Sequence, residues 1–99
     1  MDHVDDRFEW SMPKAVRNLH DHKVSFEEAR LAFDDPLAID EYLADDSNAE
    51  GRHKRLCLGK GRLLVVIYTE RESDDEVARH RIISAWKASK HEQARYNAR

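Results

Sequence analysis

Apolar and polar positions alternate from Val4 to Trp10, where Phe8 and Trp10 sit between charged neighbours, and this period of two predicts a short first strand. Ser11 and Pro13 follow as helix-start signals, because proline is at home in the first turn. They predict a helix over about 14–21 that buries Ala15, Val16 and Leu19, interrupted at His22-Lys23. Ser25 stands three residues before Glu28, the spacing at which hydroxyl and carboxylate can each bond the other's backbone N–H. A second helix over 26–33 then buries Phe26, Ala29 and Phe33 on one stripe. Asp34-Asp35-Pro36 ends it, since the residue before proline avoids helical backbone angles.

Strands dominate the remainder. Leu37, Ile39 and Leu43 mark a half-buried strand over 37–43, and the acidic stretch Asp45–Glu50 reads as an exposed loop. Arg52–Leu58 predicts another strand, with Leu56 and Leu58 on one face and His53, Arg55 and Cys57 on the other. Gly59-Lys60-Gly61 supplies a hairpin turn, and Leu63–Thr69, apolar on both faces, predicts the central strand. Glu70–Glu76 reads as a charged turn and Val77–Ala85 as the last strand. Ser89 and Glu92 repeat the capping spacing and open a final helix over about 90–98. The order implies an α+β fold: a small, mostly antiparallel sheet packed with two N-terminal helices and one C-terminal helix, in a single domain spanning residues 1–99.

Composition narrows the class. Of 99 residues 40% are hydrophobic and 37% charged, with three Gly and two Pro, which favours a folded domain over a disordered tail. The longest purely apolar run, Leu63–Tyr68, is far short of the roughly 18 residues of a membrane span. The first ten residues are acidic and lack the apolar stretch of a secretory signal, and the one cysteine, Cys57, excludes an internal disulfide framework. A soluble, cytoplasmic domain is the expectation.

The net charge of −3 conceals an asymmetry. Residues 1–50 hold five Lys/Arg against fourteen Asp/Glu, whereas residues 51–99 hold twelve against six. Such a chain either pairs its halves internally or presents an electropositive surface that attracts phosphate groups.

Five features could carry chemistry. Arg79 and Arg81 fall on one face of the last strand, with Lys87 just beyond, and could clamp a phosphate and stabilise charge developing on it; charges protecting an edge strand are the alternative. His53 or His80 could donate or accept protons. Glu70-Arg71, leaving the central strand, could supply a general base beside a cation. Trp86 and Tyr96 could stack on bases or anchor the last helix, and Lys54 adds charge. His20 and His22 lack a third ligand at any recognisable spacing. With no HExxH, CxxC or glycine-rich phosphate loop, neither a metal nor a nucleotide cofactor is expected. A basic, histidine-bearing sheet suits metal-free RNA cleavage, in which the ribose 2′-OH is the nucleophile, and equally suits phosphate binding without chemistry.

These residues also resemble a known family. Phe8-Glu9-Trp10 with Lys14, Asn18-Leu19, Val24-Ser25-Phe26-Glu27-Glu28-Ala29 and Phe33-Asp34-Asp35-Pro36-Leu37-Ala38 are similar to the opening of BrnT-type toxins. Gly59, Gly61 to Val66, Tyr68 to Arg71, Arg81 to Ala85 and Lys87-Ala88 continue the likeness, which covers about residues 8–96. The resemblance implies a RelE-like fold and a ribonuclease toxin of a bacterial type II toxin–antitoxin pair. It implies an RNA substrate, no metal, and a BrnA-type antitoxin through which operator DNA is reached; a homodimer within that complex is compatible with it. Arg81, Lys87, His53 and Glu70 are then the candidate catalytic residues. Lys54, Arg79, Arg71, Trp86 and Tyr96 are the candidate RNA contacts. Where the family has an acidic residue followed by Arg, this chain has His53-Lys54, and Trp86 replaces an arginine. These departures motivate a rival reading, a catalytically weak homologue that serves as an antitoxin-binding module. Direct DNA binding is the weaker reading, for want of a helix-turn-helix.

Overall fold

In the computed structural model, which describes residues 1–43, 51–72 and 74–98, the first strand is a hairpin. Asp2–Val4 (β1) pairs antiparallel with Phe8–Ser11 (β2). Asp5 makes the turn: its Oδ1 accepts the backbone N–H groups of Arg7 and Phe8, each at 2.9 Å. Arg30 Nε donates to the same carboxylate at 3.1 Å. Phe8 and Trp10 share one face and are buried, with the His3 ring stacked on Trp10 at 4.1 Å.

Two helices follow, Met12–His22 (α1) and Phe26–Phe33 (α2). Ser11 caps α1 by accepting the N–H of Lys14, and Lys23, at φ 58°, ends it in the left-handed region. Ser25 caps α2 by accepting the Glu28 N–H at 3.0 Å. The reciprocal half of that capping box is absent. The Glu28 carboxylate instead takes Arg62 Nε at 2.7 Å and Nη2 at 2.6 Å, and this guanidinium keeps the carboxyl below its usual range against the opposing effect of burial.

Four strands and a helix complete the chain: Ile39–Tyr42 (β3), His53–Leu58 (β4), Leu63–Glu72 (β5), Ala78–Lys87 (β6) and Lys90–Asn97 (α3). The sheet order is β1-β2-β6-β5-β4-β3. The sheet is mixed, because β2 lies parallel to β6 through Phe8–His80 and Glu9–Arg81 while the other pairings are antiparallel. Glu70–Glu72, expected in a turn, extend β5 because they pair with Ala78–His80. The expected loop Asp45–Glu50 lies outside the described residues. The Ser89 capping box forms in full.

One sheet face packs Phe8, Trp10, Leu64, Val66, Tyr68, Ile82 and Ala85 against Val24, Phe26, Ala29, Ala32 and Phe33. The other gathers Leu56, Val65, Ile67 and Ala88 with Trp86 and with Tyr96 of α3. Val16 and Leu19, expected in the core, are 69% and 50% exposed. The helix turns Asn18 inward instead. Asn18 Nδ2 donates to Val24 O at 2.9 Å and Ala85 O at 2.8 Å, and its Oδ1 accepts the Ala85 N–H at 3.1 Å. A side-chain amide thereby replaces a neighbouring strand where β2 has left β6, satisfying backbone groups that burial would otherwise strand.

Candidate functional site

The parallel contact of β2 with β6 sets Glu9 beside Arg81, which pairs in turn with Thr69 on β5; Arg71 pairs with Arg79. By strand alternation these side chains share the face opposite α1 and α2. Glu9 is buried, 6% exposed, and its Oε2 lies 3.4 Å from Arg81 Nη1. Its Oε1 has no hydrogen-bond partner and lies 3.7 Å from Arg71 Nε. Asp2 Oδ2 holds Arg81 from the other side at 3.2 Å. Arg81 and Arg71, with Lys14 from the first turn of α1 and Arg52 before β4, wall a cleft of about 490 Å³ with Thr69 and Ile83. Four cations converging on a concave surface focus the field on an anion held there.

Arg81 and Arg71 are thus brought together, but the full expected set is not. Arg79 shares their face, yet its fork is bound bidentately by Asp75 at 2.9 Å and its Nε donates to the Asp5 carbonyl at 2.6 Å. It clips the β5–β6 turn to the β1–β2 turn, with three of its five N–H donors spent on those contacts. Lys54 Nζ lies 2.9 Å from Glu92 Oε2 and ties α3 to the sheet. The Tyr96 hydroxyl donates to Asp35 Oδ2 at 2.6 Å while its ring packs in the second core, so it anchors α3.

His53 and Glu70 fall on the opposite face from Arg81. His53 pairs with Tyr68 and stacks on its ring at 5.1 Å; Glu70 pairs with His80. Lys87 lies at the far end of β6, six residues or roughly 20 Å from Arg81. A bulge has also changed the parity of the strand: Ile67 faces Ser84 while Tyr68 faces Ile82, leaving Ile83 unpaired. Trp86, five residues from Arg81, thereby joins its face, whereas Lys87 pairs with Leu64 of the helix-side core. The expected cup of Arg81, Lys87, His53 and Glu70 therefore does not assemble. Lys14 and Arg52 take the vacant places; they come from the first turn of α1 and the residue before β4, distant from Arg81 in the chain, and no local pattern announces them.

His80 lies on the face away from Arg81. It sits among the rings of Phe8, Phe33 and Tyr68, and this burial lowers its pKa, with Glu70 at 3.9 Å opposing. A base depressed in the folded state stabilises the fold fully above its ordinary value, about 6.5, and loses that contribution as the pH falls through it. Thermal melts from pH 7.5 to 5.5 are expected to show a steeper loss of Tm for the wild type than for His80→Gln; parallel profiles would refute the assignment. Cys57 is no nucleophile, since burial pushes its thiol up to about 12. Among the described residues no three His, Cys, Asp or Glu side chains gather as a metal site, and no helix is long and apolar enough to cross a membrane.

A search among curated proteins finds no match. A family model, described as the ribonuclease toxin BrnT of type II toxin–antitoxin systems, matches residues 10–92, from the end of β2 into α3. That span includes Lys14, Arg52, Arg71 and Arg81. It brings with it an RNA substrate and a protein antitoxin as partner. A match across this much of the chain, over a sheet with a cationic cleft, shows that the protein belongs to the BrnT family of ribonuclease toxins of type II toxin–antitoxin systems.

Proposed function

We propose that this chain is a RelE-like endoribonuclease that cleaves RNA without a metal ion, at the cleft walled by Arg81, Arg71, Lys14 and Arg52. The observation that carries the reading is the convergence of those four cations on one sheet face, two of them beside the buried Glu9 carboxylate. In this scheme the guanidiniums of Arg81 and Arg71 bind the scissile phosphate and neutralise the charge that grows on its oxygens. The ribose 2′-oxygen attacks phosphorus and gives its proton to water, while the buried Glu9 carboxylate holds Arg81 and Arg71 in place. The bond to the 5′-oxygen breaks, and that oxygen leaves with a proton from water. The products are a 2′,3′-cyclic phosphate and a free 5′-hydroxyl. His53, Glu70 and Lys87 have no part in this step. A BrnA-type antitoxin covers the cleft in the cytoplasm, and the pair, as a complex that includes a toxin dimer, reaches operator DNA through the antitoxin.

The test is purified, antitoxin-free protein incubated with RNA in chelator. Fragments ending in cyclic phosphate are expected; cutting that appears only on adding magnesium removes the metal-free scheme, and intact RNA under both conditions removes catalysis. One observation favours the second reading, an antitoxin-binding module with weak or no activity: Asp2 and Glu9 both occupy Arg81. Tight antitoxin binding with harmless expression would select it, whereas growth arrest on expression alone selects the enzyme.

A further inference from the structure

Lys14 and Ile83 wall more than the cleft at Arg81. They also border a depression of about 220 Å³ along the seam between α1 and β6. Asp21 and His22, at its far end, border a third of about 610 Å³ that Trp86 and Lys87 complete. Shared walls place the three in series along β6 from Arg81 to Lys87, about 20 Å, a series called the α1–β6 groove.

Among the described residues, cations without a carboxylate partner gather along this groove, whereas Lys23, Lys60 and Lys90, which also lack one, wall none of the three depressions. Arg7, Arg55 and Arg62, like Arg79, are held by carboxylates at hydrogen-bond distance. Among the described residues Lys14, Arg17 and Lys87 have no carboxylate within ion-pair distance, and all three lie along the groove. Asp21, the acid on its wall, is engaged by His20 Nδ1 at 2.9 Å. At the far end the rings of His22 and Trp86 lie 6.1 Å apart and tilted by 47°, so that the half-buried Trp86 supplies an aromatic surface at the end of a cationic track. Spaced cations with an aromatic face are the elements that hold a single strand, its phosphates on the charges and its bases on the rings.

We propose that the α1–β6 groove binds the single-stranded RNA that flanks the scissile phosphate, with its backbone on Lys14, Arg17 and Lys87 and a base on Trp86. The proposal rests on the nuclease reading for its occupant, and the Trp86 ring favours RNA over an acidic peptide. The test measures binding of 2′-O-methyl RNA, which cannot be cut, by fluorescence anisotropy with strands of about 3 and about 10 nucleotides. The longer strand should bind at least about tenfold tighter, and Lys87→Ala or Trp86→Ala should abolish that gain. Lys87→Arg should keep it. Lys87→Ala should also lower the slope of log affinity against log salt by about 0.7, the value of one phosphate contact to a single strand. Equal binding of the two lengths, or a gain that survives Lys87→Ala in a protein with wild-type circular dichroism, overturns the proposal. A gain reproduced by polyglutamate assigns the groove to an acidic peptide instead. A length gain with unmodified RNA left uncut keeps the groove and removes the nuclease reading; cutting without a gain does the reverse.

Discussion

Arg81→Ala is expected to lower RNA cleavage by about two to three orders of magnitude, the loss typical when one preorganised donor to a transition-state oxyanion is removed. It should also lower stability, because Glu9 is buried and Arg81 is one of two cations beside it, the other being Arg71 at 3.7 Å. Stranding that carboxylate costs about 1–3 kcal/mol. Arg81→Lys separates the two effects. A lysine returns a positive charge to Glu9 and Asp2 but lacks the planar fork that matches two phosphate oxygens. Its melting temperature should stay near that of the wild type while kcat/KM falls at least about tenfold. Arg79→Ala should behave in the opposite way. Its guanidinium is spent on Asp75 and the Asp5 carbonyl, so the variant melts earlier and, when folded, cleaves like the wild type. Melting curves with kcat/KM on a short RNA decide the matter, and an Arg81→Ala protein that cuts normally would empty the cleft of its proposed chemistry.

The contrast between these two arginines shows where sequence reading stops. Alternation places Arg79 and Arg81 on one face, and the register agrees. Which of them is available depends on Asp75 and Asp5 for one and on Asp2 and Glu9 for the other, contacts made by turns, by β2 and by the β1 strand that the pattern merges with it. Local signals fare well where the physics is local. Ser25 and Ser89 cap the helices their spacing implies, Asp34-Asp35-Pro36 closes α2, and the Leu63–Thr69 run is buried in the middle of the sheet. Parity fails at Ile83, because one bulged residue reverses every face assignment beyond it, and so Lys87 leaves Arg81's side while Trp86 joins it. Hydrophobicity fails on α1. Val16 and Leu19 look like core, but the helix serves the exposed edge of β6, and what an edge requires is a hydrogen-bonding side chain rather than an apolar one.

That requirement sets the largest expected effect on stability. Asn18→Ala removes three hydrogen bonds, two to the backbone of the fully buried Ala85 and one to the carbonyl of Val24. Each buried backbone group left without a partner costs about 1–3 kcal/mol, and neighbouring losses do not simply add, so a total of about 3 kcal/mol is expected. For a domain of this size that lowers Tm by about 12–24 °C. Asn18→Asp should do no better: its carboxylate still accepts the Ala85 N–H but then faces two carbonyl oxygens with no proton to offer them. Asn18→Leu supplies volume without bonds and should also fail, which separates hydrogen bonding from packing. The consequence for function follows from what α1 carries. Lys14, Arg17 and His22 lie on the helix that Asn18 ties to β6, so loosening the tie moves one wall of the groove against the other. Below its own melting temperature Asn18→Ala should therefore lose the affinity gain for long RNA and should expose the Ala85 amide to rapid hydrogen exchange. An Asn18→Ala protein that melts within a few degrees of the wild type, with the Ala85 amide still protected, would mean that other contacts hold the helix in place.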